Sequence, residues 1–283
     1  MLRSLSSLLL RCLAVTLVGG SVALAGGKDK VAINNECLEC HDEDIKGLKT
    51  TIHLPVFDVS CQDCHVDVAA HLDDEEEMPS VPVGAEGEAV CLSCHNHTRS
   101  PGWSEHTKSG VTCDTCHQSH ETDHSARPLL ASKQEDLCLS CHEDTRVAFS
   151  KPYTHKTGTG GMECSSCHNP HGSMDAFSLV SNHGEGPCVS CHVEKHGPFV
   201  FEHVNGVAGD CMSCHEHHGS SNPRQLTRAH VSQLCLECHT ALPLETLGSQ
   251  PPAFHDLRSP RYRECTVCHT AIHGSSSSPA LTK

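Results

Sequence analysis

Aromatic side chains are nearly missing from this 283-residue chain, which has one Trp, two Tyr and six Phe. Aromatics usually supply much of the buried area of a protein. A length that suits one or two ordinary domains therefore comes without the means for an ordinary core. Long apolar runs are missing too. Beyond the first residues, no stretch reaches the roughly 20 apolar residues that a membrane-spanning helix needs. Strand-like alternation is not found. Methionine is scarce, with only Met78, Met162, Met174 and Met212 after the N-terminal leader. Positive charge is short as well: 20 Lys and Arg against 35 Asp and Glu leave a formal net charge of −15. That balance excludes nucleic acid as a partner and plain adsorption to anionic lipid.

Two residue types are abundant instead. The chain holds 21 Cys and 26 His, more His than Lys and Arg together. A chain poor in apolar bulk and rich in these side chains takes its stability from something bound: disulfides, metals or covalent cofactors. The N-terminus sets the compartment. Arg3 and Arg11 precede an apolar run from Cys12 to Val18, and Ala23-Leu24-Ala25 gives the small-x-small pattern of a cleavage site. Residues 1–25 read as a secretory signal peptide, so the expected compartment is the periplasm. The run is too short for a membrane anchor, and Leu10-Arg11 ahead of Cys12 is no lipobox.

Every cysteine after Cys12 falls into one pattern, C-x-x-C-H. The ten copies are Cys37/Cys40/His41, Cys61/Cys64/His65, Cys91/Cys94/His95, Cys113/Cys116/His117 and Cys138/Cys141/His142, then Cys164/Cys167/His168, Cys188/Cys191/His192, Cys211/Cys214/His215, Cys235/Cys238/His239 and Cys265/Cys268/His269. This is the attachment signature of haem c. Cysteines three apart in a helical turn place both sulfurs on one side of the backbone, where they form thioethers with the two vinyl groups. The adjacent His points its imidazole at the iron. Zinc sites built from paired C-x-x-C units do not need a His after every second Cys, and a disulfide scaffold leaves the ten adjacent His residues unexplained. The expected cofactor is ten covalently bound haems c, with iron.

Sixteen histidines remain outside the motifs, and ten of them recur with the motifs. The chain divides into five repeats of motif, His, motif, His. The His between motifs is His53, His106, His155, His203 or His255; the trailing His is His71, His120, His171, His218 or His273. These ten are the expected second axial ligands. His97, His124, His183, His196, His217 and His230 fall outside the pattern. A trailing His only three residues after its motif His cannot reach the opposite face of that iron, so His120, His171 and His218 are expected to serve a neighbouring haem. The expected exchange lies within a repeat, with the trailing His on the first haem and the between-motif His on the second. Iron with two imidazoles has no open position for a substrate, which points to an electron carrier rather than an enzyme, with no catalytic residues. His/His ligation also sets a lower potential than His/Met.

About twenty residues separate successive motifs, punctuated by Gly, Pro, Ser and Asn as in Ser100-Pro101-Gly102. They allow one short helix per motif plus loop. The expected fold is a mostly irregular, short α-helical multihaem cytochrome with little or no β-structure, drawn out into an elongated rod of stacked haems. Asp73–Glu77 reads as a solvated linker. The expected division is a first pentahaem half at 26–150, a second at 151–274, and a flexible tail at 275–283.

The stretches Cys164-Ser-Ser-Cys-His-Asn-Pro-His-Gly-Ser-Met174, Cys188-Val-Ser-Cys-His-Val-Glu-Lys-His-Gly-Pro198 and Ile272-His273-Gly274-Ser275, with the number and pairing of motifs, carry a family resemblance. The chain resembles the periplasmic decahaem cytochromes of the MtrA, PioA and DmsE type, themselves like two fused NrfB-type pentahaem units. The resemblance implies a wire of closely stacked haems, working as a monomer inside an outer-membrane β-barrel protein. Electrons would pass between extracellular and inner-membrane redox cytochromes, and the membrane is met only through the barrel. It also leaves open a soluble periplasmic shuttle serving a terminal reductase. A multihaem reductase is the rival of another class, and it needs an iron with an open face.

Overall fold

Each C-x-x-C-H segment folds into a single helical turn. In all ten, the backbone N–H of the motif His donates to the carbonyl of the first Cys, at 2.8–3.1 Å. This i→i−4 bond is what the three-residue cysteine spacing needs, and it leaves the His at the C-terminal edge of the turn. The computed structural model describes residues 36–41, 53, 59–98, 104–120, 129–158, 161–180, 186–203, 211–240 and 254–282. The expected leader at 1–25 lies outside them, as do His124 and His183.

Short helices connect these turns: α1 (Val68–Asp73), α2 (Gly84–Cys94), α3 (Glu105–Lys108), α4 (Cys113–Cys116), α5 (Gln134–Leu139), α6 (Glu143–Phe149), α7 (Val193–His196) and α8 (Val231–Leu236). The motifs at Cys61, Cys164, Cys188, Cys211 and Cys265 sit on 3₁₀ turns. Among the described residues, extended pairing amounts to two strands of two residues, β1 (Phe201–Glu202) and β2 (Gly274–Ser275), antiparallel with Phe201 opposite Ser275, plus isolated bridges. The expected class, short helices with little β-structure, is what the chain adopts. Helices that end in a first motif pack on the second-motif turn of the same repeat: α2 on α4, α5 on Cys164–Ser166, and α8 on Cys265–Val267.

The polypeptide has almost no core of its own. Leu139 is the one buried apolar side chain among the described residues, while Ser60, Ser104, Ser220, Asp256 and Ser275 are the buried polar ones. A soluble domain normally buries Ile, Val, Leu and Phe, yet Phe177 and Phe254 are exposed here. What holds the described residues is instead a set of recurring backbone clasps. The segment leading into a between-motif His pairs with the segment around the trailing His of the next repeat. Tyr153 and Ser220 exchange two backbone hydrogen bonds, at 2.8 and 3.2 Å. Thr154 Oγ1 donates to the His218 carbonyl at 3.0 Å, and Ser104 Oγ donates to the Pro170 carbonyl at 3.3 Å. The β1–β2 pair joins residues just before His203 to those just after His273.

These clasps need glycine. Gly219 has φ +140°, and a Cβ there would lie 2.4 Å from the Ala148 carbonyl oxygen. Gly274, at φ +143°, leaves room for the Phe199 ring. Both follow a trailing His, so that the backbone of one repeat passes directly against that of the repeat before.

Three segments carry local ties. The tail does not hang free: Ala271 N–H donates to the Leu281 carbonyl at 2.9 Å, and Thr270 Oγ1 donates to the Thr282 carbonyl at 2.8 Å. Its serines make local turns, with the Ser277 and Ser278 N–H groups donating to Ser275 Oγ; such turns order a polar stretch that composition reads as flexible. Bonds also cross the expected boundary at 150/151. It falls inside the third repeat, and Ser104 and His106 bond across it to Pro170 as other repeats bond to their neighbours. The acidic run at 73–77 is exposed, as expected of a solvated segment, but it is also tied down, because the Glu77 carbonyl accepts from His71 Nδ1 at 2.9 Å.

Candidate haem centres

Ten pairs of imidazole rings face one another along the chain. They are His41–His71, His53–His95, His65–His120, His106–His142, His117–His171, His155–His192, His168–His218, His203–His239, His215–His273 and His255–His269, with ring centroids 5.6–6.3 Å apart. Each pair joins one motif His to one of the ten recurring histidines, and each of the twenty is used once. Two imidazoles trans across a single ion, with metal–nitrogen bonds of about 2.0–2.1 Å, place their centroids about 6.3 Å apart. The spacing fits an axial pair. Among the described residues, no three or more His, Cys, Asp or Glu side chains converge on one point. Donors meet two at a time, which suits an iron whose other four ligands come from a porphyrin.

The pairing differs from the expected exchange within a repeat. Only the two terminal repeats follow it: His71 faces His41, and His255 faces His269. Everywhere between, the facing pairs cross repeats. The between-motif His reaches forward to the first motif of the next repeat, as His106 does to His142. The trailing His reaches back to the second motif of the previous one, as His171 does to His117. The clasps are the reason. They bring His106 beside His171 and His155 beside His218, so both histidines of a clasp point across the boundary between two repeats. His217 faces no motif ring but packs edge-on against His218 at 4.1 Å.

Backbone carbonyls fix the ring tautomers. Nδ1 of His65, His168, His215 and His269 bonds to the carbonyls of Ser80, Phe177, Arg224 and Ala280 at 3.2, 3.0, 2.9 and 2.6 Å, and His117 is bonded to the Leu129 carbonyl. A carbonyl only accepts, so Nδ1 carries the proton and Nε2 keeps its lone pair for a metal. All five are second motifs of their repeats. The chain returns to them through residues held at positive φ: Leu129 at +71°, Phe177 at +58° and Arg224 at +58°. Bracketing bonds such as Val180 N–H to the Cys167 carbonyl and Thr227 N–H to the Cys214 carbonyl close these loops. Two between-motif histidines are oriented alike, with His106 Nδ1 donating to the Pro170 carbonyl and His155 Nδ1 to the His217 carbonyl. Sequence reasoning missed these acceptors because they are main chain; the recurring His-Gly-Ser at 171–173, 218–220 and 273–275 was the readable trace of the clasps.

Burial favours the neutral form of His117, His171, His218 and His273. His218 is pushed down to about 4, first by burial and then by His217 and His168. His117 is lowered by burial and His171, against the Leu129 carbonyl bond that raises it. His171 and His273 are likewise lowered, mainly by burial. Neutral rings are what ligation requires.

The motif cysteines form a continuous series. The first cysteines of the two motifs in a repeat lie together: Cys37 hydrogen-bonds to Cys61, Cys91 to Cys113, Cys138 to Cys164, Cys188 to Cys211 and Cys235 to Cys265. Second cysteines meet across repeat boundaries, Cys64 near Cys94, Cys116 near Cys141 and Cys167 near Cys191. Burial, then Cys37, pushes Cys61 up to about 11. The hydrogen bond from Cys138 holds Cys164 down to about 7, and the bond from Cys211 does the same for Cys188. Neighbouring attachment sites thus follow one another in chain order.

The polypeptide does not itself enclose every expected attachment sulfur. Cys40, Cys238 and Cys268 are exposed, as are Cys64, Cys94, Cys141 and Cys191. All seven are second cysteines; the second cysteines Cys116, Cys167 and Cys214 are half-buried, and first cysteines are half-buried except Cys91 and Cys188, which are exposed. The turn itself is intact at the three sites. The N–H groups of Cys40, Cys238 and Cys268 donate to the carbonyls of Cys37, Cys235 and Cys265 at 3.3, 3.3 and 3.2 Å. The backbone of each of these motifs therefore keeps the helical turn that its three-residue cysteine spacing needs.

No helix among the described residues is long and apolar enough to cross a membrane. The family model for a doubled CXXCH motif matches residues 106–147, 155–197 and 203–243. Each match starts on a between-motif His and carries two motifs, so the family unit is offset by one motif from the repeat read in the sequence. A curated relative, the multiheme cytochrome MtrA of Shewanella baltica (strain OS185), is 32% identical over 189 residues, 60% of this chain and 55% of that protein. The chain thus spans about half the length of the relative it matches. Beside the attachment turns and the facing imidazoles, the chain thus carries three copies of the doubled CXXCH motif and is similar to the multiheme cytochrome MtrA over the aligned part.

Proposed function

We propose that the chain binds ten haems c and relays electrons through the periplasm, to or from an outer-membrane porin–cytochrome conduit. The observation that carries this reading is the set of ten facing imidazole pairs, one per motif. The twenty motif cysteines would hold the ten haems, and each motif histidine would share a haem iron with its facing partner among His71, His53, His120, His171, His106, His218, His155, His273, His203 and His255. Each haem, when bound, would supply a one-electron iron couple and, with two imidazoles on its iron, no position for a substrate. The chain's own work is positional. Its cysteine contacts set neighbouring attachment sites side by side, its clasps lock successive repeats, and its carbonyls hold Nδ1 protonated at the rings they bond, which then present Nε2. Hydrogen bonding to Nδ1 raises ligand basicity, which favours the oxidised state.

Two measurements test the centres. Intact mass of the matured protein should exceed the processed polypeptide by ten haems, and the absorption spectrum should be low-spin throughout. Nine haems or fewer after full maturation would overturn the count, and a haem that takes up carbon monoxide at once would revive the reductase reading.

The conduit role draws support from the likeness to MtrA. Lacking a membrane-crossing helix among its described residues, the chain would meet the outer membrane through a β-barrel protein. Gentle detergent extraction should recover it one-to-one with such a barrel. Recovery of all of it in the soluble periplasmic fraction would instead favour a shuttle that serves a terminal reductase.

A further inference from the structure

The acidity of this chain is confined to one half. Residues 26–150 hold 24 acidic and nine basic side chains, whereas residues 151–283 hold eleven and nine. In the last 33 residues the balance reverses, with two acidic side chains against Arg258, Arg261, Arg263 and Lys283. Three of these basic residues lie within six positions, on the segment that joins His255 to the motif at Cys265.

That segment also gathers aromatic rings in a chain that has few. The Phe254 and Tyr262 rings lie 5.8 Å apart, and the Arg261 guanidinium sits over the Tyr262 ring at 5.8 Å. Phe254 is 77% exposed, and the three arginines are exposed. The backbone beneath is braced. Asp256, 2% exposed, accepts from the Arg258 N–H at 3.1 Å, and Arg263 Nε donates to the Leu257 carbonyl at 3.0 Å. A braced loop that presents Arg and aromatic side chains has the composition of an interface hot spot. It flanks both axial histidines of the last centre, with Phe254 beside His255 and Arg263 two residues before Cys265.

We propose that Phe254, Arg258, Arg261, Tyr262 and Arg263 form the docking surface for an acidic redox protein, which exchanges electrons with the chain at its last haem. The proposal rests on the electron-transfer reading and adds where a partner binds and what charge it carries. A protein with net charge −15 repels an acidic partner overall. Attraction therefore has to come from a local patch, within about a Debye length, or roughly 8–10 Å at physiological salt. Local complementarity of this kind mainly raises the association rate, and the gain falls as salt rises.

The experiment uses the matured full-length protein and reduced plant-type ferredoxin, an acidic one-electron donor of low potential. One electron leaves the ferredoxin cluster and one ferric haem becomes ferrous, with no proton needed. The association rate in stopped flow should fall as ionic strength rises. Arg261→Glu should lower it about tenfold at low salt, and Arg261→Gln by a smaller factor. Titration calorimetry with oxidised ferredoxin, where no electron moves, should show the same ranking in Kd. Mitochondrial cytochrome c, a basic acceptor, should oxidise the reduced wild type and Arg261→Glu at rates within about twofold of each other. A ferredoxin rate that rises with salt and ignores Arg261→Glu would show net repulsion without a docking patch, and would overturn the proposal while leaving electron transfer intact. Failure of both probes to exchange electrons would instead remove the electron-transfer reading itself.

Discussion

The fragment 1–132, matured with its leader, should carry four haems of which one is high-spin and binds carbon monoxide. The expectation follows from ligation across repeats. Within this fragment, His71, His120 and His53 remain to face His41, His65 and His95. His117 loses its partner, because His171 lies beyond the cut. The complementary fragment 133–283, given the same leader, should hold six haems with one open iron at His142, whose partner His106 stays on the other side. The cut falls between repeats and keeps the Leu129 return loop with its motif. Exchange confined within repeats would leave both fragments fully low-spin. The three intact centres of the shorter fragment serve as its internal control.

The attachment sites are legible in the sequence because their chemistry is local. Two thioethers and one axial bond constrain five consecutive residues, and the ten turns differ little in the structure. The histidines that face the motif rings are legible for a weaker reason: recurrence selects His53, His71 and their equivalents while passing over His97 and His230. Their pairing is not legible. Which ring faces which depends on contacts more than fifty residues apart in the chain, such as His155 with the His217 carbonyl. Spacing alone favours partners close in sequence. It succeeds only at the two ends, where no further repeat exists to exchange with. Nor do the carbonyl acceptors announce themselves, since Phe177 and Arg224 adopt positive φ without being Gly or Asn. Their conformation costs about 1–2 kcal/mol for an ordinary side chain and persists because the loop and its motif hold it. Ser275–Ser278 misleads in the opposite direction. A run of serines reads as a flexible tail, but hydroxyl-to-backbone bonds and the contact with Phe201 order it.

Gly219→Ala should damage two haem centres at once, although it alters no ligand. At φ +140° a non-glycine residue carries strain of order 1–3 kcal/mol. The new methyl would also stand 2.4 Å from the Ala148 carbonyl oxygen, a backbone atom at the end of α6 that cannot swing away. Relief requires the clasp between Tyr153 and Ser220 to open. His218, next to residue 219, then moves relative to His168, and His155 moves relative to His192. The expected outcome is a fall in thermal stability with two of the ten haems shifting toward high spin, read by near-infrared absorption and carbon monoxide uptake. Gly186→Ala is the matched control in the same region. Its φ is −64° and nothing lies within 4 Å of a Cβ there, so the change should stay within about 0.5 kcal/mol and leave every haem low-spin. If Gly219→Ala behaves like this control, the clasp does not set the ligand geometry, and the cross-repeat pairing must be held by the haems themselves.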